Sequence, residues 1–434
     1  MHGNFIIRFK TFAFILFVAI AIAIVILPQQ QAGAWYQGHL DGQASRISMN
    51  KWVINLNVGS DVKPELLPIH VELDLQNSDS GEQIKPVIIN GSERIPVGGN
   101  YDRAAGKVVI EMPHYASSIE FDVGEEPVLQ NGVWNKVRGE GKVFKVPCQA
   151  ERYEVVHWED PSDFVGRWSV KFKDEDDLAV GVFEKTENSN QVTGTFLTTT
   201  GDYRYLAGGV QDGRLQLSCF DGAHAFLFNI DQSESGLSGT FHSGNWYGTS
   251  WTATKDENAT LPDAFGQTVW TDKVKLADLK FPNLDGEVVS LADEQFAGKC
   301  RIIEVFGSWC PNCHDAGIYL SELQEKYGDD GLSIVGLAFE LTGDFDTDAT
   351  QVRTFVDRIG TSYPMLVAGT SDKAEATKQL QVLDRVRSYP TMIFIDSTDN
   401  VKAIYTGFSG PATGEAHEKL KAQFEKIIEE MLAE

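Results

Sequence analysis

The run RIIEVFGSWCPNCHDAGIYL (301–320) restricts this chain more than any other stretch. A strand-length apolar segment runs straight into two cysteines three positions apart, and a helical period begins behind them. Cys-x-x-Cys acts as a redox dithiol when it caps a helix after a buried strand. With His314 following Cys313, the same letters also spell a c-type haem attachment sequence. The flanking pattern decides between them. RIIEVF (301–306) and LSIVGLAF (332–339) have the composition of buried strands. Helical periodicity covers 311–327, 351–359 and 374–383, with a short strand at 363–368. PTMIFID (390–396) and VKAIYTGF (401–408) form a hairpin, and an amphipathic helix closes the chain. Strands alternating with helices predict a mixed sheet covered on both faces. Haem attachment belongs in a small helical domain and needs a distal ligand. Met365 and Met392 fall in predicted strands, leaving only His417. No cofactor is therefore expected, and His314 is expected to be exposed or partly exposed in the first helical turn.

The dithiol reading accounts for more residues. Cys310 falls at the helix start and Cys313 one turn in, so the free amides of the helix N-terminus favour a thiolate, the nucleophilic form. Pro311 suits the first helical position, where a missing N–H costs nothing. Pro311 and Asn312, lying between the sulfurs, tune the redox potential.

Residues 274–434 resemble the thioredoxin fold, specifically the TlpA-like extracytoplasmic thiol–disulfide oxidoreductases. Trp309-Cys310-Pro311-Asn312-Cys313 with its lead-in FGSWC, the segment SYPTMIFID, and the preamble FPNLDGEVVSLADEQFAGK (281–299) carry the resemblance. It implies a redox-active Cys310–Cys313 disulfide. It also implies a cis bond before Pro390 that presents the Tyr389 backbone to an extended peptide. Glu304, flanked by apolar residues, takes the place of a buried acid beneath the second cysteine, where it could accept a proton from Cys313. Glu340, at the end of the next strand, is a second candidate acid. Disulfide-containing protein substrates, a membrane thiol-electron donor and the reductase direction are implied in the same way. The peroxidatic pattern of peroxiredoxins is absent, and the Cys-x-x-x-Cys spacing of copper-delivery relatives is missed by one residue.

The preceding half of the chain has another character. Short alternating runs such as IHVELDL (69–75), KVVIEM (107–112) and SIEFDV (118–123) are separated by Gly, Asn and Asp. From 161 to 255, strands recur every ten to twelve residues or so, as in a sandwich or an up-and-down barrel. Gly166-Arg167-Trp168 resembles the Gly-x-Trp of lipocalin-like barrels. The predicted division is a β-rich module at 35–160, a second at 161–255, a linker at 256–273 and the redox domain at 274–434. Asp202, Arg204, Asp221 and His224 lie beside aromatic strands; they either line a binding site or, more commonly, cap turns and pair across a sheet edge. His114, His157, His224 and His242 lack metal-ligand spacing, so no metal site is expected. Asn258 opens a glycosylation sequon that matters only in a eukaryotic secretory host. A competing assignment gives this β region the main function, as a ligand- or partner-binding protein served by an accessory redox domain.

The 434 residues suggest two to four domains at about 100–200 residues each. A formal charge of −25 argues against nucleic-acid binding. Arg8 and Lys10 precede an apolar run at 11–27, and Ala32-Gly33-Ala34 follows, which is the layout of a secretory signal within 1–34. Either a cleaved signal or a membrane anchor places the remainder outside the cytoplasm, in the periplasm or secreted. Of the five cysteines, Cys148, Cys219 and Cys300 are expected as small buried hydrophobes, with a Cys148–Cys219 bridge as the alternative.

Overall fold

The computed structural model describes residues 50–60, 63–75, 82–124, 128–187 and 189–434. The predicted signal at 1–34, with its apolar run, lies outside these residues. Among the described residues no helix is long and apolar enough to cross a membrane.

Period-two alternation builds the first module. In the strand Lys51–Asn57 every second side chain is buried, placing Trp52, Ile54 and Leu56 on one face. Ten strands form one sheet with Glu82–Gln83 at one edge and Glu93–Pro96 at the other. Its apolar face gathers Ile69, Val108, Ile119, Phe121 and Trp134, and it is completed by Phe220, Ala225 and Leu227 of the second module.

That second module is a closed barrel. Its strands are β1 (Gly166–Phe172), β2 (Ala179–Lys185), β3 (Val192–Thr198), β4 (Leu206–Gln211), β5 (Arg214–Phe220), β6 (Ala225–Ser233), β7 (Gly236–Ser243) and β8 (Tyr247–Lys255). Each pairs antiparallel with the next, and β8 returns to β1 through Trp168↔Lys255. The meander therefore resolves as an up-and-down barrel rather than a sandwich. Closure removes the sheet edges that otherwise invite aggregation. Side chains fill the interior: the Phe196 and Phe228 rings stack at 4.3 Å, and Phe228 and Phe241 at 4.6 Å. Trp168 is buried at one end and donates from Nε1 to the Phe164 carbonyl at 3.0 Å.

The stretch 256–273 is held at both ends rather than free. Arg167 Nε donates to the Ala259 carbonyl at 2.8 Å, and Thr271 N donates to the Val382 carbonyl at 2.7 Å. The last region is a five-stranded sheet made of β9 (Cys300–Phe306), β10 (Leu332–Glu340), β11 (Met365–Thr370), β12 (Thr391–Ile395) and β13 (Val401–Thr406), in the order β11-β10-β9-β12-β13. β9, β10 and β11 run parallel, and β12 and β13 antiparallel. Helices α1 (Pro311–Tyr327), α2 (Phe345–Ile359), α3 (Lys373–Leu380) and α4 (Glu415–Leu432) cover it. All seven residues of β9 are buried, so both faces of this central strand are packed. α2 begins earlier than its apolar period suggests, because Asp344 caps it by accepting from Thr347 N at 3.0 Å. α3 ends at Leu380, short of the predicted 383, because Gln381 turns into the left-handed region at φ 53.

Candidate active site

β9 delivers the chain to the site, and the turn at 307–309 hands it to α1. Cys310 is the N-cap of α1 and Pro311 its first residue. Cys313 N donates to the Cys310 carbonyl at 3.0 Å, closing the first turn. Cys310 Sγ points at the Tyr389 carbonyl, 3.5 Å away, and the bond from Tyr389 to Pro390 is cis. The strand that follows Pro390, β12, lies beside β9 with Thr391 opposite Val305. That register brings a segment remote in sequence alongside the sulfurs. Trp309 Nε1 donates to the Phe339 carbonyl at 2.9 Å, and its ring meets Tyr389 edge-on at 5.5 Å.

Two carboxyls are buried under this surface. Glu304 on β9 is fully enclosed; its Oε2 accepts from the Tyr363 hydroxyl at 3.1 Å, and its Oε1 has no hydrogen-bond partner. Burial pushes Glu304 up to about 8. The Cys313 thiol is also raised, first by burial, then by Cys310 and by the nearby Glu304 charge. Glu340 lies at the end of β10, accepts from Ser308 N at 2.8 Å and Ser308 Oγ at 2.7 Å, and is raised by burial to about 7. It fixes the turn before Trp309 rather than facing the sulfurs through a free oxygen. Among the described residues no group of three or more His, Cys, Asp and Glu side chains is placed to hold a metal ion.

A model of the Redoxin family matches residues 255–421. The C-terminal region is a Redoxin domain. It has the thioredoxin-like fold, preceded by the β-rich modules. Thiol-disulfide oxidoreductase ResA of Halalkalibacterium halodurans is 26% identical over 127 residues, 29% of this chain and 62% of that protein. The chain thus spans less than two thirds of that relative's length. Thioredoxin-like protein YneN of Bacillus subtilis is 28% identical over 130 residues, 30% of this chain and 68% of that protein. Among solved structures, a thioredoxin-family thiol:disulfide interchange protein from Chlorobium tepidum TLS aligns at 20% identity with a TM-score of 0.27. That alignment covers 40% of this chain and 99% of that one.

Within the Redoxin domain, the structure brings Cys310, Cys313, Trp309, Pro311, Asn312, Glu304, Tyr389 and Pro390 together, with Glu340 one turn away. All five cysteines are buried thiols, so the alternative Cys148–Cys219 bridge is not formed. Cys148 lies in the first sheet, where burial pushes its thiol up to about 12. His314 departs from expectation. It is buried, with Nε2 donating to the Ser308 carbonyl at 2.8 Å and its ring packed on Tyr115 and Phe355 at 4.7 and 4.5 Å. The covering residue Tyr115 comes from the first module, which no local pattern around His314 announces. His417 likewise faces backbone, the Ser409 carbonyl at 2.8 Å, and Met365 and Met392 lie in β11 and β12. Ser308 and Tyr363, which hold the two acids, escaped the sequence reading. Ser308 stands within the motif FGSWC, but its partner Glu340 is distant in sequence.

Proposed function

We propose that this protein is an extracytoplasmic thiol–disulfide oxidoreductase that works as a disulfide reductase on protein substrates. The supporting observation is the stacking of three groups: Cys310 at the helix N-terminus against the Tyr389 carbonyl, Cys313 beneath it, and Glu304 with an unpartnered oxygen below. The Cys310 thiolate attacks one sulfur of a substrate disulfide. A mixed disulfide forms and the other substrate sulfur leaves as a thiolate. In its ionised form, whose share grows as pH nears about 8, the Glu304 carboxylate takes the Cys313 proton, and the Cys313 thiolate then attacks Cys310 Sγ. The Cys310–Sγ bond to substrate breaks, the second substrate thiolate departs, and the Cys310–Cys313 disulfide holds the oxidising equivalent. Two electrons have passed to substrate. A membrane dithiol donor, in keeping with the family resemblance, restores the pair. The basic, apolar and small-residue layout of 1–34 supports the location, either by export or by an anchor at 11–27.

Aromatic rings pack in the barrel interior. Cys313→Ser is the test. It should accumulate substrate as covalent adducts on Cys310, recovered from extracts under non-reducing conditions and released by a thiol. A wild-type potential near that of thioredoxin, about −270 mV, accords with reduction, and one near −120 mV indicates an oxidant. Absence of any adduct would sink the mechanism.

A further inference from the structure

Segments from both β modules close over the sulfur site. The first is the loop leaving β3. The Thr200 carbonyl accepts from Ser388 Oγ at 2.7 Å, beside Tyr389 and Pro390. Gly201, at φ 151, faces Asn312 so closely that a Cβ there would lie 2.1 Å from Asn312 Nδ2. Asp202 Oδ2 accepts from Gly410 N at 2.7 Å. Three successive residues thus touch the proline ledge, the residue between the cysteines, and the turn after β13. The second segment is the turn at 113–115. Its Tyr115 ring covers His314, and Gln351 Nε2 on α2 donates to the Pro113 and His114 carbonyls at 3.0 and 2.9 Å. Lys136 Nζ steadies the turn from below by donating to the Tyr115 carbonyl at 2.6 Å.

Arg204 joins the modules. It is buried and pairs with Asp315 on α1, with Asp221 of the barrel at 3.6 Å and with Glu93 of the first sheet at 3.4 Å. One cation therefore bridges carboxylates from three modules, and Asp315 stands two residues past Cys313. Under this cover only 7% of Cys310 and 7% of Tyr389 remain exposed. A protein disulfide cannot reach a sulfur so enclosed while the turn at 199–202 sits against Ser388 and Asn312.

We propose that the β region is a lid over the dithiol: residues 199–204 occupy the ledge a substrate segment uses, and the Arg204 cluster is the latch. This rests on the thiol-exchange reading above and adds what controls access to it. Beside a small apolar strip of Val180, Leu197 and Ala416, the seam is held by these charged and polar contacts, and seams of that kind within one chain separate and reform. Removing one member of a buried charge cluster leaves the others uncompensated, so loss of Arg204 drives the modules apart.

The test uses the reduced full-length chain and iodoacetamide, with peptide mass spectrometry reading each cysteine separately. Cys310 of the unaltered chain should be alkylated at least ten-fold more slowly than free cysteine at the same pH. Arg204→Ala, and Gly201→Val, which wedges the loop off Asn312 without stranding charge, should each speed Cys310 alkylation at least ten-fold. They should also raise the rate of insulin reduction. Cys148 and Cys219 should stay protected, which shows that the β modules remain folded. Wild-type Cys310 reacting as fast as free cysteine overturns the lid whatever the variants do. So does an unchanged rate in either folded variant. In both cases a Cys310–Cys313 disulfide that still forms and breaks with dithiothreitol leaves the redox reading standing. Its absence from every variant removes that reading and the lid with it.

Discussion

The barrel interior and the sheet beneath the sulfurs are equally buried, yet they are filled with different chemistry. Inside the barrel, Phe172, Phe183, Phe196, Phe228, Phe241 and Trp251 pack against one another. The central strand of the redox sheet is as completely enclosed, but it carries Arg301 and Glu304, and its neighbour ends at Glu340. A carboxyl held where a leucine would pack better lowers stability, and its displaced pKa is what it offers in exchange. At one end of the barrel Asp202 and Arg204 meet the redox domain, and Asp221 pairs with Arg204 behind them. One region packs rings in its centre and meets the redox domain through a charged rim; the other accepts instability in its centre.

The largest test of that contrast is Phe228→Ala. Phe228 is fully buried and stacks on both Phe196 and Phe241. Its truncation should cost about 3–5 kcal/mol, read from equilibrium urea unfolding monitored by near-ultraviolet circular dichroism. A loss under about 1 kcal/mol would show a loose interior, and the contrast would fail.

Glu304→Gln should move the other way. The folded protein holds a proton on Glu304 up to about 8, whereas the unfolded chain releases it near the ordinary 4.5. The contribution of this group to stability is therefore fully present below 4.5 and is lost as pH rises through 8. Glutamine cannot ionise, so the decline of stability with pH across that window should flatten, and the variant should overtake the parent at the alkaline end. A residual slope remains from Glu340, raised to about 7. Removing the proton acceptor should also slow resolution of the mixed disulfide on the order of 10²-fold. An unaltered pH slope would mean that Glu304 is solvated.

What the sequence disclosed followed the range of its signals. β9 and its enclosed Glu304 were legible because apolar residues flank the acid on both sides. The cis Tyr389–Pro390 bond was legible through the family segment SYPTMIFID. The barrel meander was legible from its regular turns, though closure of β8 on β1 was not, since no residue in either strand names its partner. The burial of His314 was misjudged for the same reason: a helical first turn looks exposed until Tyr115 covers it. Thr200 and Gly201 carried no local mark, and Asp202 stood out only as a residue that lines a site or caps a turn. Their significance lies in what they touch, and Gly201 reads as a plain turn glycine until Asn312 is placed against it.

The smallest effect tests the seam between the modules. Gln351 is the α2 side chain that bonds the Pro113 and His114 carbonyls. Both bonds are partly open to water, so Gln351→Ala should cost about 0.5–1.5 kcal/mol, leave the pH slope intact and leave the barrel's aromatic signal unchanged. Because the turn at 113–115 carries Tyr115 onto His314, the same variant should raise Cys310 alkylation less than Arg204→Ala does. An effect as large as that of Arg204→Ala would place the latch on the first sheet rather than on the barrel loop. The rim chemistry attributed to the barrel would then belong to its neighbour.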